Sequence, residues 1–461
     1  MGQTWTGLAI AIFLVALGAL PIGDRLAFQA FLTTSAVLGF AGGLLWSAST
    51  GVKLVARAAE ASAFVMALWI LTPLFLIVPF LLLAPGLSYL EAVFEAYSAL
   101  TTTGAILIAP ENIPDTLIFW RCLLGFLGGY LTLLTAAGIL AAFDRAGLEL
   151  RKSYLLTADR DNIFSNLHVA AWRIGILYSG FAAVTCLLLM AMSVPAFEAI
   201  CLGLSAISTS GYEVSSGPLN HLLGNWAIAI LALACFLGAT NIAFIRAIVV
   251  ERELPAETDV LAMILMVLGL AVLFLIGTGG QTGPLTLIAD SVFIVSTSGY
   301  TVDNAAGHVP LAAVLAAIIG GAATSTAGGL KISRLVILSK SALVELARMA
   351  HPSGVVSVKH RGRTADNTAM LALWATVLGY IGLIAIAVVA FALAGEPFEA
   401  AWSAAATSLS NSGPLHDQLS PSHLWSDLSP VSKTITIFLM VLGRLEVLAG
   451  LAAIAALFRR F

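Results

Sequence analysis

Four tetrapeptides rich in hydroxyl side chains, each ending in glycine, recur along the chain. They are Thr101-Thr102-Thr103-Gly104, Ser208-Thr209-Ser210-Gly211, Ser296-Thr297-Ser298-Gly299 and Ser410-Asn411-Ser412-Gly413, called here glycine loops 1 to 4. Glycine lets a backbone take positive φ without a Cβ penalty, and main-chain carbonyl oxygens can replace the water around a monovalent cation. A divalent site favours several carboxylates, and the tetrapeptides contain none. The pattern predicts a monovalent cation site lined by main-chain oxygens of the four glycines, with hydroxyls as further ligands or braces.

The repetition of this pattern carries the argument, because a single copy is more often an ordinary turn. Successive glycines are 107, 88 and 114 residues apart, which indicates a fourfold internal duplication rather than a solenoid. Each tetrapeptide follows a short, weakly amphipathic helix. Three of these helices begin with Glu91, Glu198 or Glu399, and a carboxylate favours a helix start through the macrodipole. The third helix has Thr286 instead.

A second unusual segment interrupts an apolar run in the third repeat. Its glycines and hydroxyl residues are Gly320, Gly321, Thr324, Ser325, Thr326, Gly328 and Gly329. A continuous helix there would lose about 1 kcal/mol per glycine relative to alanine. The segment therefore predicts a break or flexible loop directly below the glycine loops. The alternative is a close helix-packing surface of small residues.

Arg444 lies inside the last apolar run. A charge at membrane depth costs at least about 2.5 kcal/mol, so its side chain must face protein or water. If it faces a pore, it acts as an electrostatic barrier to cations. The alternative is a buried ion pair with an acid from another repeat. For Lys331, Arg121 and Arg246, near the ends of spans, we predict snorkelling towards the interface.

Other chemistry receives little support. The four cysteines lie in apolar stretches without metal-ligand spacing, so we predict that they are packing residues. The sequence has no P-loop or dinucleotide motif and no arrangement of a nucleophile and a base. Enzyme activity and binding of nucleotide or nucleic acid by this chain are therefore not expected.

Composition identifies the elements that must position these residues. The 461 residues are 59% hydrophobic and only 10% charged, against about 25% charged in soluble domains. The chain therefore predicts an all-α polytopic membrane protein. Ten apolar runs are long enough to be spans, and they are Trp5–Leu20, Ala27–Trp46, Ala61–Ala84, Leu117–Phe143, Ala170–Ala191, Trp226–Val250, Val260–Ile276, Val309–Ala322, Met370–Ala394 and Ile435–Leu457. The four shorter helices before the glycine loops are predicted to be re-entrant.

Charge placement predicts the orientation. Fifteen Lys and Arg residues fall on one side, against only Arg25, Arg121 and Lys433 on the other. The side rich in Lys and Arg is predicted to be cytoplasmic and to hold both termini, in the cytoplasmic (inner) membrane. The opposite side is acidic and would concentrate cations at an outer mouth.

These features resemble the Trk/Ktr/HKT superfamily of cation transporters, and most narrowly the TrkH membrane subunit. Besides the glycine loops, the resemblance rests on Phe119-Trp120-Arg121 with Gly128-Gly129, on residues 320–331, on His351-Pro352 and on Gly443-Arg444-Leu445-Glu446. It implies an N-terminal hairpin at residues 1–52, followed by four membrane–pore–membrane repeats around one pore. The expected repeats are residues 53–152, 153–256, 257–364 and 365–461.

The resemblance also implies roles for particular residues and partners. The glycine loops would be the selectivity filter, with Gly104 indicating K⁺ as the transported ion. Residues 320–329 would form an intramembrane gating loop together with Arg444. The expected partners are membrane lipids, a second copy of the chain, and a cytoplasmic ring of nucleotide-binding regulatory subunits of the TrkA type. Asn411 and Pro414 depart from the other repeats, so strict fourfold symmetry is not expected.

The sequence thus predicts K⁺ uptake through a gated, channel-like pore. A Na⁺-permeable or poorly selective transporter of the same fold is the main alternative. An ion-coupled secondary transporter would use inverted repeats, whereas these repeats begin on the same side. A membrane enzyme would need a cluster of carboxylates, histidines or cysteines at membrane depth, and the sequence shows none.

Overall fold

Helices make up most of the described chain. The computed structural model describes residues 1–19, 24–50, 58–138, 163–252, 257–350, 359–360, 363–364 and 367–445. The described strands are β1 (Lys359–His360) and β2 (Arg363–Thr364), which pair antiparallel. The expected repeat boundaries lie within or next to undescribed residues and remain predictions. Glu446, His351 and Pro352 lie outside the described ranges.

The helices follow the predicted order of a hairpin and then recurring units. The hairpin contains α1 (Gly2–Ala19) and α2 (Arg25–Ser49). Next come α3 (Ala58–Phe75), α4 (Val78–Leu83), α5 (Tyr89–Leu100) and α6 (Asp115–Gly138). The second unit contains α7 (Ile163–Ala191), α8 (Ala196–Ser208), α9 (Asn225–Ala239) and α10 (Ile242–Arg246), followed by a π-helical turn at Ala247–Glu251.

The third unit contains α11 (Thr258–Gly277), α12 (Pro284–Val295), α13 (Ala305–His308), α14 (Pro310–Ile319) and α15 (Ile332–Ala350). The fourth contains α16 (Asn367–Leu393), α17 (Phe398–Ser410), α18 (Gly413–Leu419) and α19 (Pro430–Leu445). Short 3₁₀ turns at Pro110–Asn112, Leu219–His221 and Trp425–Asp427 lie between these helices.

Seven described helices are long and apolar enough to cross a membrane, and α9 with α10 adds an eighth candidate if the bent pair is one span. The prediction of one continuous span over Trp226–Val250 was wrong, because the chain bends by 107° between α9 and the helical segment Ile242–Glu251. The Asn241 side chain accepts a hydrogen bond from Ala243 N at 2.9 Å and caps the new helix. A polar cap at this point ends α9 and starts a helix in a new direction.

The short helices α5, α8, α12 and α17 lie at the centre of the fold. Every residue of α5 from Ala92 to Leu100 is buried, and all residues of α17 from Ala400 to Ser410 except Trp402 are buried. By contrast, only 22% of the apolar windows of α11 and α16 is buried. Helices with so much exposed apolar surface suit a lipid environment, so the structure is that of a multi-pass membrane protein with the short helices enclosed.

The N-terminal hairpin packs against the first unit. Gly2 and Gly42 allow the two hairpin helices to approach closely, since a Cβ on Gly2 would lie 2.4 Å from Trp46 N. Trp5 Nε1 donates to Thr72 Oγ1 in α3 at 3.0 Å. These contacts hold the two hairpin helices together and fix the hairpin to α3.

Candidate functional site

The glycine loops follow the C-termini of α5, α8, α12 and α17, and neighbouring loops touch. A Cβ added to Gly104 would lie 1.9 Å from the carbonyl oxygen of Ser210 in loop 2. A Cβ on Gly211 would lie 1.9 Å from the carbonyl oxygen of Ser298 in loop 3. Real Cβ atoms do not approach oxygen so closely, so glycine is required here by the contact between loops as well as by backbone conformation.

The contacts between neighbouring loops continue until the four loops form a closed ring. A Cβ on Gly299 in loop 3 would lie 3.0 Å from Leu415 N in α18. The amide of Gly413 donates to the carbonyl oxygen of Thr103 in loop 1 at 2.6 Å. Loop 1 therefore meets loop 2, loop 2 meets loop 3, loop 3 meets the start of α18, and loop 4 meets loop 1. The four tetrapeptides surround one axis.

Backbone conformation repeats in the loops, with one exception. Two residues before each glycine, the backbone is left-handed at Thr102 (φ 51°), Thr209 (φ 53°), Thr297 (φ 61°) and Asn411 (φ 52°). Gly104, Gly211 and Gly299 also have positive φ, at 75°, 72° and 70°. Gly413 is the exception, because its φ is not positive and it begins α18. Pro414 follows it in the first turn, where the ring favours a helix start.

Four equivalent carbonyl oxygens in the ring have no hydrogen-bond donor among the described residues. They belong to Thr102, Thr209, Thr297 and Asn411, and each of these residues has 0% exposed surface. Buried carbonyl groups almost always find a partner. A cation on the axis is a partner that would satisfy all four, so this level of the ring is the best candidate for ion coordination.

The hydroxyl groups mostly brace the loops. In loops 1, 2 and 3 the first and third hydroxyls bond to each other, with oxygen–oxygen distances of 2.8 Å (Thr101–Thr103), 3.0 Å (Ser208–Ser210) and 3.1 Å (Ser296–Ser298). Loop 4 lacks this pair, and Ser412 Oγ has no partner in the described structure. Asn411 Nδ2 instead donates to Thr103 Oγ1 and to Met440 O, both at 3.0 Å. Loop 4 is therefore held to loop 1 and to α19 by an amide.

Buried carboxylates support loops 1 and 3, and the sequence reading missed them. Glu95 Oε1 accepts a hydrogen bond from Leu107 N at 2.7 Å. Asp290 Oδ1 accepts one from Val302 N at 2.6 Å. Each acid lies nine residues before its loop glycine, and each donating amide lies three residues after it. That shared spacing is the signal that was available in the sequence.

Arg121 forms a buried ion pair, so the prediction of snorkelling was wrong. Its Nε and Nη2 atoms donate to Glu95 at 2.9 and 2.8 Å, and its Nη1 donates to Ile108 O at 3.0 Å. The side chains of Arg121 and Glu95 are 3% and 0% exposed. The buried carboxylate gives the guanidinium a better partner than the distant interface, because a bidentate pair matches the planar fork.

An outer cavity of about 560 Å³ opens above the ring. Its wall includes Gly104, Gly211, Gly299 and Pro414 together with the acids Glu213 and Asp417. The partial loss of water at this wall raises the pKa of the Asp417 carboxyl to about 7. It also raises the pKa of the Glu213 carboxyl, to which the charge of Glu111 adds. The cavity is an entrance to the four loops that is lined by acidic residues.

The predicted break in the third unit is present. α14 ends at Ile319 and α15 begins at Ile332, so residues 320–331 form a connection, the α14–α15 loop, rather than a helix-packing surface. Gly320 and Gly329 have φ of 68° and 77°, and a Cβ on Gly320 would lie 2.2 Å from Gly328 O. The loop folds tightly on itself because these glycines lack side chains.

The α14–α15 loop contacts the glycine loops and the α9–α10 bend. Thr326 Oγ1 lies within hydrogen-bond distance of two carbonyl oxygens, Ile207 O (3.0 Å) and Gly238 O (2.9 Å). Gly328 N donates to Thr297 Oγ1 at 2.7 Å. Ala322 N donates to the carbonyl oxygen of Ala239, and Ile242 N donates to that of Thr324. The loop thus satisfies the backbone groups that the break in α9 exposes, as membrane-depth backbone requires.

Arg444 joins the α14–α15 loop to glycine loop 1. Its Nε donates to Thr101 O at 2.6 Å, its Nη1 donates to Thr326 O at 2.7 Å, and its Nη2 contacts Thr102 Oγ1. None of the described acids forms an ion pair with it, so the ion-pair alternative finds no support in the described chain. The positive charge lies beside the ring, at its inner end.

Beneath Arg444 is a cavity of only about 40 Å³. Its wall includes Arg444, Lys331, Arg334 and residues of the α14–α15 loop. Lys331 does not extend away from the loop as predicted, because its ammonium turns back to Ala327 O. This cavity is much smaller than the 560 Å³ outer cavity on the opposite side of the ring.

Comparison with known proteins agrees with this arrangement. The TrkH family model, described as a cation transport protein, matches residues 27–253 and 231–458. The Trk system potassium uptake protein TrkH of Salmonella typhimurium is 26% identical over 448 residues, covering 94% of this chain and 92% of that protein. The TrkH protein of Vibrio parahaemolyticus is 25% identical over 478 residues, with 98% of each chain covered.

A solved structure shares the fold. The crystal structure of the potassium transporter TrkH from Vibrio parahaemolyticus superposes with a TM-score of 0.86, covering 98% of this chain and 96% of that chain at 24% sequence identity. The family match includes both the glycine loops and the α14–α15 loop. The chain therefore belongs to the TrkH family of cation transport proteins.

Proposed function

We propose that this chain carries K⁺ from the acidic outer side to the cytoplasm through the ring of glycine loops. The observation that carries the proposal is the set of four buried carbonyl oxygens, two residues before the loop glycines, that have no hydrogen-bond donor in the described part of the chain. Neutral carbonyl oxygens in a ring replace the hydration shell of a monovalent cation. The relatives named above are potassium uptake proteins, which supports K⁺ as the ion.

The path has three stages. Acids at the outer cavity attract cations, the ring removes their water, and the α14–α15 loop with Arg444 controls exit to the cytoplasm. A membrane potential supplies about 2.3 kcal/mol per charge per 100 mV, which is enough to drive accumulation without a chemical reaction. The described residues place no other ionisable side chain in the ring, which favours a channel-like mechanism over coupled symport.

The alternative within the fold is a poorly selective or Na⁺-permeable path. The observation that favours it is loop 4, in which Gly413 is helical and Ser412 Oγ has no partner in the described structure. A ring with one dissimilar side fits the ion less closely. The three remaining loops nevertheless share conformation and contacts, so we place K⁺ first.

Control of exit would come from the cytoplasmic side. α15 follows the α14–α15 loop directly, and Ile332 N donates to Gly321 O at 2.9 Å. Leu343, Leu346 and Met349 on this helix are 66%, 62% and 79% exposed. We propose α15 as a docking element for the ring of cytoplasmic regulatory subunits. A partner that moves α15 would pull on the loop.

Isotope flux into liposomes tests the function. Purified protein is reconstituted with high internal K⁺, and uptake of radioactive rubidium, as a K⁺ substitute, is followed with external K⁺ or Na⁺ as competitor. We expect external K⁺ to suppress uptake far more strongly than Na⁺. Equal suppression by both ions would favour the poorly selective alternative, and no uptake above that of protein-free liposomes would refute cation transport by this chain alone.

A further inference from the structure

Pro414 lies where the outer ends of the other three glycine loops converge. A Cβ built on Gly104 would lie 3.2 Å from Pro414 Cδ, one on Gly211 2.9 Å from Pro414 Cγ, and one on Gly299 3.2 Å from Pro414 Cδ. Glycine loop 2 is opposite loop 4 in the ring, so a side chain that reaches loops 1, 2 and 3 together must lie at the axis. Pro414 also lines the outer cavity.

The helix that carries Pro414 is held in this place at both ends. At its start, Gly413 N donates to Thr103 O at 2.6 Å, and Gly413 O accepts from Trp425 Nε1 at 2.9 Å. At its end, Gln418 Nε2 donates to Gly299 O at 2.5 Å. Only the amide nitrogen of Gln418 can donate to a carbonyl oxygen, which fixes the orientation of this side chain.

The same hydrogen bonds occupy two of the four glycine carbonyl oxygens, so the loop glycines offer an ion an incomplete set of ligands. The carbonyl oxygens of Gly299 and Gly413 are already occupied by Gln418 and Trp425. Those of Gly104 and Gly211 have no donor among the described residues. A cation arriving from the outer cavity therefore meets two free oxygens, two occupied ones and an apolar ring on the axis.

We propose that Pro414 and Gln418 together form an outer constriction that determines ion access to the ring. Gln418 is the positioning residue, because its bond to Gly299 O holds α18 with Pro414 over the axis. An entering cation must compete with the Gln418 amide for Gly299 O and displace the proline ring. The inference rests on the proposed cation path and adds a barrier on the side opposite Arg444.

The first test measures ion binding at equilibrium, so that the barrier at Arg444 does not limit it. Thermal unfolding of purified protein is followed at increasing KCl, with choline chloride keeping the ionic strength constant, and the K⁺ concentration giving half of the stabilisation is determined. A ligand bound only by the folded state raises stability with its concentration. We expect Pro414→Ala and Gln418→Met to lower this concentration about ten-fold, equal to about 1.4 kcal/mol.

Matched controls are Pro421→Ala and Gln281→Met, since both residues are exposed on outer connections. The double variant Pro414→Ala/Gln418→Met should show less than the sum of the two single effects, because both act on one element. If Pro414→Ala does not fold, Gln418→Leu decides, because its uncharged side chain cannot donate to Gly299 O and should also lower the K⁺ concentration for half-stabilisation.

The second test measures rubidium flux in an Arg444→Gln background, where the inner barrier is weakened. We expect Pro414→Ala and Gln418→Met to raise uptake further and to reduce the discrimination against Na⁺. Folded variants in which the K⁺ concentration for half-stabilisation is unchanged or higher would refute the constriction. They would not refute K⁺ transport by the chain. A wild-type protein with neither K⁺-dependent stabilisation nor rubidium uptake would instead refute the proposed function.

Discussion

Nη1 of Arg444 lies 2.7 Å from the carbonyl oxygen of Thr326, so a charge on α19 holds the α14–α15 loop beneath the ring. Nε of the same guanidinium donates to Thr101 O at 2.6 Å. The planar fork fixes both acceptors in one geometry. In the proposed transport path, opening towards the cytoplasm would therefore require Arg444 to release the loop, the ring or both.

Replacing Arg444 with Gln should increase uptake by the purified protein about ten-fold or more. Each hydrogen bond to a charged group contributes about 1.5–3 kcal/mol, and about 1.4 kcal/mol corresponds to a factor of ten. The measurement is rubidium flux in liposomes at fixed membrane potential. Arg25→Gln, on the exposed start of α2, is the control. Unchanged or slower uptake by a folded variant would contradict a role in closing the path.

Thr326→Val should loosen the loop without changing side-chain volume greatly. The substitution removes the hydroxyl that lies 3.0 Å from Ile207 O and 2.9 Å from Gly238 O. An unpaired buried acceptor costs about 1–3 kcal/mol, so the closed arrangement should weaken and flux should rise several-fold. Thr434→Val, whose exposed hydroxyl bonds only within its own helix, should leave flux unchanged. Equal flux in both variants would argue against this contact.

Gly104→Ser should lower the K⁺/Na⁺ preference. Its Cβ would lie 1.9 Å from Ser210 O, at a backbone φ of 75°, so loops 1 and 2 must separate. A wider ring replaces the hydration shell less completely, and ions that keep part of their water are distinguished less well. The measurement is competition of K⁺ and Na⁺ with rubidium uptake. Gly86→Ser, with no atom near its Cβ, is the control, and an unaltered ratio in Gly104→Ser would undermine the assignment of the loops to ion selection.

Glu95→Gln should destabilise the protein by about 3–5 kcal/mol, because it leaves the Arg121 charge buried without its partner. Thermal unfolding in detergent measures the change. Glu345→Gln breaks the Arg348–Glu345 pair, whose side chains are 49% and 61% exposed, and should change stability by less than about 1 kcal/mol. Combining Glu95→Gln with Arg121→Met should recover part of the loss. A single variant as stable as wild type would contradict the supporting role of the pair.

Uptake at low K⁺ should fall as external pH drops through about 7. Burial raises the pKa of the Asp417 carboxyl to about 7, so this group is charged above that pH and neutral below it. Loss of negative charge at the outer cavity lowers the local cation concentration. Asp417→Asn should give low uptake both above and below this pH, so that uptake no longer changes with pH. At saturating K⁺, uptake should not depend on pH. If uptake by Asp417→Asn still falls as the pH drops, another group causes the pH dependence.

The loops, the break and the arginine were all predictable from local patterns. Four hydroxyl-glycine tetrapeptides at the end of short apolar helices, a glycine-rich interruption in residues 320–329 and a charge at 444 are features of neighbouring residues. Periodicity and composition report such features directly. The departure of loop 4 was also visible, since Pro414 restricts the backbone wherever it occurs.

Tertiary structure alone decided which of these residues meet. Arg444 and Thr101 are 343 positions apart, and Asn411 and Thr103 are 308 apart. Local patterns carry no information on such pairings. Arg121 at a span end suits snorkelling by itself, and only the packing of α5 against α6 gives it Glu95. Likewise, the 107° bend after α9 depends on a loop from another unit that supplies the missing hydrogen bonds. The sequence determined the parts, while contacts between distant segments determined the closed ring and the position of Arg444 beneath it.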